Sequence, residues 1–337
     1  MKTSLAIATL ALALLQTCGA ARAATLASEL KGRDGWVAYR VPMVADAGQP
    51  CCFEWSGKHA NRAGCDLDGR NWNFGTSDDA RGIAPSDALA VYVRVEHGSV
   101  ATVRALSATC PVRSGSEIQW LDDVAPGESV ALLEPIVAAG RKGDDTRGNA
   151  LAALAFHDDK GATAALARLA APGRPRDQRE QALFWLGQAR GVAGAEMVER
   201  VATTDEDPEL RAQAVFALSQ SKAGDPYLRI KAISSSDRSE HVRSQALFWM
   251  AQMHDPRAEA DITARVRGES SSEVREQAVF ALSQLGKERA DNALIGIIEG
   301  DYPRDAKERA LFWLGQSGSD KALEYFDRLL AADPKKR

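Results

Sequence analysis

A segment of eight residues recurs almost unchanged every 32 residues in the second half of the chain. The five copies are Gln181–Gln188 (QALFWLGQ), Gln213–Gln220 (QAVFALSQ), Gln245–Gln252 (QALFWMAQ), Gln277–Gln284 (QAVFALSQ) and Arg309–Gln316 (RALFWLGQ), and a degenerate sixth is Asn149–Phe156 (NALAALAF). A basic residue two places before each copy keeps the register: Arg147, Arg179, Arg211, Arg243, Arg275 and Lys307. A fixed period of this size predicts a solenoid, in which each unit buries its apolar face only against its neighbours.

The residues around the repeated segments predict two helices in each unit. Asp207-Pro208 is typical of a helix start, because Asp caps the helix and Pro is tolerated in its first turn. Asp225-Pro226 and Asp255-Pro256 predict partner helices over Pro226–Ile233 and Pro256–Val266. Gly and Ser runs separate the helices. We therefore expect an all-α solenoid of about six two-helix units over residues 138–337.

The repeated segments also resemble a known family. Asp207–Leu218 (DPELRAQAVFAL) and Val274–Leu282 (VREQAVFAL) resemble HEAT repeats, of the short kind seen in phycobiliprotein-lyase-like proteins. The resemblance covers roughly residues 141–332 and is specific for the fold but not for function. HEAT arrays serve as scaffolds and only a few handle chromophores, and nothing in this sequence matches a chromophore-handling site. In HEAT arrays the helix with this Val-Arg motif lines the concave surface.

The side chains of each repeated helix separate into two faces at roughly 100° per residue. Val274, Ala278 and Leu282 fall on one arc, whereas Phe280 lies more than a quarter turn away, beside glutamines. With the HEAT resemblance, this predicts an aromatic ladder on the concave face that binds a partner. Its residues are Phe184, Phe216, Phe248, Phe280 and Phe312, edged by Gln181, Gln188, Gln213, Gln220, Gln245, Gln252, Gln277, Gln284 and Gln316. The alternative is structural: each Phe packs over the small residue of the next unit, and the glutamines bond from helix to helix.

Two further sets of repeated residues are interpreted as structural. Trp185, Trp249 and Trp313 alternate with Ala217 and Ala281, which indicates a 64-residue pair and predicts tryptophans that fill the core. The basic register residues are expected to brace the loops or to pair with glutamates, in solvated pairs worth under about 1 kcal/mol each. These glutamates are Glu180, Glu209, Glu240, Glu273 and Glu308.

The first 23 residues have the pattern of a signal peptide. Lys2 precedes the apolar run Leu5–Leu15, and Ala21-Arg22-Ala23 is an A-x-A cleavage signal. The run is about half the roughly 20 residues that a spanning helix needs, which disfavours a retained anchor. Lipidation at Cys18 is disfavoured too, because Gln16 and Thr17 are not the small residues usual there. We expect cleavage after Ala23 and a soluble bacterial protein that is periplasmic or secreted.

Residues 24–137 read as a β-rich domain, so the expected fold class is α+β by domain. Gly35–Val41 alternates with period two, and the β-branched runs Ala88–Val95 and Val100–Leu106 flank a hairpin signal at His97-Gly98-Ser99. A faint resemblance links this part to a module that precedes such repeats in some exported bacterial proteins of unknown role.

The four cysteines after the signal segment, Cys51, Cys52, Cys65 and Cys110, predict two disulfides. Neighbouring cysteines rarely bridge each other, so Cys65 and Cys110 each take one of Cys51 and Cys52, in either order. Zinc with His59 is the weaker alternative, because no C-x-x-C pair or spaced His pair supports it. Asp66-Leu67-Asp68-Gly69 resembles the start of a calcium loop but lacks the later ligands, which favours a turn. We predict no metal and no cofactor.

Charge and motifs narrow the function. Without Lys2 and Arg22, 40 basic residues face 46 acidic ones, and this net charge of −6 argues against nucleic acid. No H-E-x-x-H, G-x-S-x-G or phosphate-binding glycine loop is present, so no catalytic residue is predicted. We expect a non-catalytic scaffold that binds a protein or peptide in its concave groove. The alternatives are a lyase-like accessory with a small-molecule pocket between the domains, bounded by Trp55, Trp72 and the first repeats, and a purely structural role in the envelope.

Overall fold

The computed structural model describes residues 25–331, except residues 46, 57–58, 63, 70–73 and 78–83. The predicted signal segment and Cys18 lie outside the described residues, as does Trp72. No described helix is long and apolar enough to cross a membrane.

The N-terminal part is a small mixed β-structure preceded by one short helix. Its elements are α1 (Leu26–Lys31), β1 (Gly35–Pro42), β2 (Gln49–Ser56), β3 (His59–Arg62), β4 (Cys65–Asp66), β5 (Phe74–Ser77), β6 (Ala88–Glu96), β7 (Ser99–Ser107), β8 (Val112–Arg113) and β9 (Ile118–Trp120). The main sheet has the order β7-β6-β1-β9, with β1 antiparallel to β6 and parallel to β9. The predicted hairpin is confirmed: β6 and β7 pair around His97 and Gly98, which both adopt positive φ.

The second layer of this part contains the disulfides. Strands β3-β2-β5 form one small sheet, and β4 pairs with β8. Adjacent residues of β2 form separate disulfides, Cys51 with Cys110 and Cys52 with Cys65, with Cα–Cα distances of 5.5 and 5.2 Å. The structure therefore selects one of the two connectivities that the sequence left open.

Thirteen helices follow between residues 126 and 331. They are α2 (Pro126–Ala139), α3 (Asp145–Phe156), α4 (Lys160–Ala170), α5 (Arg176–Ala189), α6 (Gly191–Thr204), α7 (Pro208–Ser219), α8 (Pro226–Ser236), α9 (Glu240–Gln252), α10 (Ala258–Gly268), α11 (Ser272–Ser283), α12 (Lys287–Glu299), α13 (Arg304–Ser317) and α14 (Asp320–Ala331). The odd-numbered helices from α3 to α13 carry the repeated segment and stack as one layer, and the even-numbered helices form the other. Helix α2 packs on α3 and α4 and spans residues on both sides of the predicted boundary between residues 137 and 138.

Helix starts follow the capping signals closely. The side chain of Asp207 accepts a hydrogen bond from the amide of Glu209, and Pro208 occupies the first helical position. Asp225 caps α8 in the same way. The start predicted at Pro256 is wrong by two residues, because Asp255 bonds the amide and guanidinium of Arg257 in a turn before α10 begins at Ala258.

One apolar core runs from the main sheet through the whole helical array. Along β1, Val37, Tyr39 and Val41 belong to this core, whereas Trp36 and Ala38 face the disulfide layer. Strand β7 lies against α3. The sheet thus covers the apolar end of the first unit, as terminal caps of repeat arrays must. The two predicted domains are continuous in the interior of the protein.

A candidate binding groove on the odd-numbered helices

The five phenylalanines of the repeat belong to a continuous row of aromatic rings. Phe184 and Phe216 stack at 5.9 Å between ring centroids, and Phe248 and Phe280 stack at 6.2 Å. Tryptophans link these pairs: Trp249 contacts Phe216 at 4.8 Å and Phe248 at 5.1 Å. We call the full set the aromatic row; in order along the array it is Phe156, Trp185, Phe184, Phe216, Trp249, Phe248, Phe280, Trp313 and Phe312.

The rings of the row combine packing with exposure. Phe184, Phe216, Phe248 and Phe280 are half-buried, and Phe312 is 51% exposed. Phe156, at the start of the row, is fully buried, whereas the rings from α5 onward pack on one another and still present part of their surface to solvent. Neither a fully buried stripe nor a set of isolated side chains describes them.

The prediction that the tryptophans fill the core is only partly right. Trp185, Trp249 and Trp313 are half-buried and pack at the margin of the core. A helical wheel places them toward the interior, but each ring leans against the phenylalanine that precedes it in sequence, at 5.1–5.2 Å. They belong to the same surface as the phenylalanines.

The glutamines lie along the edges of the row. Gln181, Gln213, Gln277, Gln284 and Gln316 are exposed, and Gln188, Gln220, Gln245 and Gln252 are half-buried. Gln220 and Gln284 donate to the hydroxyls of their neighbours Ser219 and Ser283, both at 3.0 Å. Within the described part of the chain, no hydrogen bond joins glutamines of successive units. Their remaining amide groups are available to a partner.

The row opens into a pocket of about 450 Å³ between α7 and α9, which we call the α7–α9 pocket. Its lining residues are Glu209, Ala212, Gln213, Phe216, His241, Gln245 and Trp249. Ala212 leaves space there, whereas the same repeat position holds glutamate in α5, α11 and α13 (Glu180, Glu276 and Glu308) and a small residue in α3 and α9 (Gly148 and Ser244). In α11, Glu276 forms an ion pair with Arg309, the residue that corresponds to Gln245.

Carboxylates line one rim of the groove. Glu209 lies 3.4 Å from the Nε2 atom of His241, and both side chains are about half exposed, at 54% and 45%. Glu273 holds the repeat position of Glu209 in α11, and among the described residues it forms no ion pair. The lining of the α7–α9 pocket thus combines a carboxylate, an imidazole, aromatic rings and neutral amides.

A buried ladder of arginines fixes the helices that carry the groove. The pairs are Arg147–Asp177, Arg179–Asp205, Arg211–Asp237, Arg243–Glu269 and Arg275–Asp305. The predicted glutamate partners are wrong: each acceptor is an acidic residue 26 or 30 positions later, in or next to the loop before the next odd-numbered helix. The bracing of loops is confirmed, but the arginine side chains are at most 14% exposed, so the pairs are largely buried rather than solvated. Hydrogen bonds from Arg147 and Arg275 hold the pKa values of Asp177 and Asp305 below their usual range.

The described residues bring together no metal-binding constellation beyond the disulfide sulfurs. Cys51, Cys65 and Cys110 are close enough to share an ion, but each is bonded in a disulfide. The Asp66–Gly69 segment is a turn, as predicted, and Asp68 accepts from the Trp36 indole at 2.9 Å and the Gly115 amide at 2.7 Å. The side chain of His59 lies outside the described residues.

A second pocket, of about 330 Å³, lies where the β-structure meets the helical array. Val44, Asp158, Thr163 and Lys222 contribute to its lining, together with Arg190. All three nitrogens of the Arg190 guanidinium already donate hydrogen bonds within the protein. The acceptors are the Thr163 hydroxyl and the carbonyl oxygens of residues 155, 157 and 159. The side chains of Trp55 and Trp72, expected at this junction, lie outside the described residues.

Comparison with known proteins supports the architecture. Residues 228–314 match the family model of HEAT repeats, so the chain contains a HEAT-like helical repeat array within a mixed α+β fold. No curated protein is significantly similar in sequence. The solved structure of human deoxyhypusine hydroxylase in complex with glycerol is 15% identical with a TM-score of 0.31, over 58% of this chain and 81% of that chain. The karyopherin Kap121p bound to the extreme C-terminus of the protein phosphatase Cdc14p is 13% identical with a TM-score of 0.39, over 61% of this chain and 27% of that one.

Proposed function

We propose that this protein is an exported, non-catalytic scaffold that binds a protein or peptide segment along the aromatic row. The row itself carries the proposal: partly exposed rings follow one another across the faces of five repeated helices. Exposure of aromatic surface to water is unfavourable, and contiguous exposed apolar patches mark interaction sites.

The shape of the array favours the same face. From α5 onward, successive odd-numbered helices contact one another more extensively than successive even-numbered helices. Closer spacing in one layer bends a two-layer array toward that layer, which supports a concave surface on the side of the aromatic row. An extended segment lying in the groove would cross several rings at once.

The chemistry of the groove fits a peptide. Each ring that becomes buried contributes up to about 1.5–3 kcal/mol. The glutamine amides offer both a donor and an acceptor to a peptide backbone. Binding energy should concentrate at Phe216, Phe248 and Phe280, since their neighbours on both sides exclude water.

The proposal is tested by alanine substitution at those three phenylalanines. The wild-type protein is first cross-linked in the native envelope to isolate its partner, and affinities are then measured with purified components. Each variant should weaken binding at least about tenfold, the value for the loss of roughly 1.4 kcal/mol. Leu228→Ala and Val192→Ala serve as matched controls, because both side chains are about half exposed on the even-numbered layer. The proposal falls if the phenylalanine variants bind like the wild type, or if the control variants weaken binding equally.

Export is part of the proposal and depends on the signal-like sequence of residues 1–23. The two disulfides support it, since such bonds persist in oxidising compartments such as the bacterial periplasm.

A lyase-like accessory is the second candidate, and the pocket beside Arg190 is the observation that favours it. That guanidinium is already bonded within the protein, and none of the described lining residues of this pocket is aromatic. We therefore favour the aromatic row over this pocket as the binding site. Binding of a small molecule that is lost in a Thr163→Leu variant, and retained in the phenylalanine variants, would reverse this order.

A further inference from the structure

We propose that the α7–α9 pocket is an anchor site for an arginine side chain of the bound segment. This inference rests on the proposed function and specifies what the groove recognises at its centre. The pocket holds about 450 Å³ between α7 and α9, and two adjoining rings of the aromatic row, Phe216 and Trp249, form part of its wall.

Each part of an arginine side chain finds a complementary residue in the lining of the pocket. Glu209 supplies a carboxylate at the rim, and the side-chain oxygens of Gln213 and Gln245 are additional acceptors. Phe216 and Trp249 supply aromatic surface, on which a guanidinium stacks and against which its aliphatic stem packs. Arginine fits better than lysine, because its planar group donates five N–H bonds in a fixed fork while it stacks.

The charge around the pocket favours a cation. The imidazole of His241 is the sole partner of Glu209 in an ion-pair contact among the described residues, and that contact is long, at 3.4 Å. A guanidinium entering from solvent can replace it with shorter, charge-assisted hydrogen bonds. An anionic side chain would meet Glu209 directly and be repelled.

The same array contains an internal counterpart of this arrangement. Sixty-four residues further along, the position of Gln245 is occupied by Arg309, and the position of Ala212 by Glu276. Those two side chains pair with each other. The guanidinium of Arg309 therefore lies between α11 and α13, paired with Glu276. The equivalent positions between α7 and α9 hold the uncharged residues Gln245 and Ala212.

The experiment titrates ¹⁵N-labelled protein with N-acetyl-arginine methylamide and follows the indole N–H signal of Trp249, assigned with a Trp249→Phe variant. We expect a saturable shift with a dissociation constant in the millimolar range, typical of a single side chain. The citrulline analogue has the same shape without the charge and should give no saturable shift. The proposal is overturned if citrulline binds as well as arginine.

Two variants and one control locate the site. Glu209→Gln should weaken arginine binding about tenfold, as expected for the loss of a hydrogen bond to a charged group. The double variant Ala212→Glu with Gln245→Arg copies the Glu276–Arg309 pair into the pocket and should abolish binding. Glu273→Gln, at the equivalent position of α11, is the matched control and should have no effect. An equal effect of Glu273→Gln would show a diffuse response to charge and would refute the site.

The failure of this inference is distinguishable from the failure of the proposed function. If the double variant binds the isolated partner as the wild type does, while Phe248→Ala and Phe280→Ala lose it, the scaffold stands and the arginine anchor is wrong. If those phenylalanine variants retain the partner, the scaffold itself is wrong.

Discussion

Arg211 and Asp237 form a two-pronged ion pair across the junction between successive repeat units, with the Nε–Oδ2 and Nη2–Oδ1 distances both 2.9 Å. Only 1% of the arginine side chain and 6% of the aspartate side chain are exposed. The third nitrogen donates to the carbonyl oxygens of Asp205 and Glu206. One guanidinium thus holds the loop before its own helix and the loop before the next.

Removal of this pair should destabilise the array strongly. Arg211→Ala leaves the Asp237 carboxylate buried without its partner, and breaking a buried pair in this way typically costs about 3–5 kcal/mol. Urea unfolding followed by circular dichroism measures the loss. Arg304→Ala is the control, because the Arg304 and Glu308 side chains are 91% and 60% exposed. That variant should cost less than about 1 kcal/mol, and equal losses in both variants would contradict the argument.

Gly187 lies at a close approach between α5 and α7. A Cβ atom at this position would lie 2.2 Å from the carbonyl oxygen of Ala217, a backbone atom that cannot move aside alone. Gly187→Ala should therefore force the helices apart and cost about 1–3 kcal/mol. Gly296→Ala in α12 is the matched control, because nothing lies within 4 Å of its Cβ position. The control should stabilise the protein by about 0.5–1 kcal/mol, since alanine is the better helix former. A Gly187→Ala variant as stable as the wild type would show that the approach is not tight.

The sequence predicts the features that depend on local pattern. The 32-residue period identifies the helical units, because each copy must bury the same face, and the Asp-Pro pairs set the starts of α7 and α8. The α7–α9 pocket has a signal as well: Ala212 departs from the glutamates at positions 180, 276 and 308. The amino-acid sequence alone shows that departure, but its meaning depends on which residues lie across the groove.

Features that depend on packing between distant segments of the chain cannot be predicted from local sequence patterns. The partners of the arginine ladder lie 26 or 30 residues away, beyond the helical spacings that a search along one helix covers. The tilt of Trp249 toward Phe248 is a tertiary adjustment that a helical wheel cannot contain. The alternating pattern of β1 also does not predict that one face of its sheet is continuous with the core of the helical array.

The two disulfides should differ in what they contribute. Cys51–Cys110 spans 59 residues and Cys52–Cys65 spans 13, and the longer loop restricts the unfolded chain more. We expect the Cys51→Ala/Cys110→Ala variant to lose more stability than Cys52→Ala/Cys65→Ala, with each loss within about 2–5 kcal/mol. Thermal unfolding of the two variants gives the comparison, and the reverse order would contradict a loop-entropy origin.

Complete reduction should loosen the disulfide layer and spare the helices. The four cysteines pack on the face of the main sheet that points away from the helical array. Near-ultraviolet circular dichroism should therefore change on reduction, while the helical signal at 222 nm stays within about a tenth of its value. Titration of four reactive thiols in the unreduced, unfolded protein would contradict the bonds.

Processing of the chain tests the export proposal. Because Ala21-Arg22-Ala23 follows a short apolar run, the mature protein should begin at Ala24 and fractionate with soluble periplasmic contents. Intact-mass measurement of protein from the native cell gives the answer. A retained Met1, or a diacylglycerol adduct on Cys18, would contradict it.

His157 should make stability depend on pH at the junction between the β-structure and the helices. Its side chain is fully buried, and neither ring nitrogen has a hydrogen-bond partner among the described residues. Its backbone bridges to Met43, and Asp158, Asp159 and Arg190 are the charged groups nearest to it. Burial lowers the pKa of His157 from 6.5 to about 4, because the charged imidazolium would lose its hydration.

The sign of the effect follows from which state binds the proton. Between pH 6.5 and about 4 the unfolded chain protonates this histidine while the folded protein does not, so acid favours unfolding in that window. The free energy of unfolding should fall by up to about 3 kcal/mol across this window and be independent of this group above it.

His157→Phe keeps a ring of similar size, leaves no buried polar atom and should remove the decline. The buried carboxylates act at lower pH, since hydrogen bonds and arginine charges hold their pKa values below the usual range, so the variant should still unfold in stronger acid. Urea titrations at several pH values from 7.5 to 4 decide the matter, and an unchanged pH profile in His157→Phe would refute the role of this side chain.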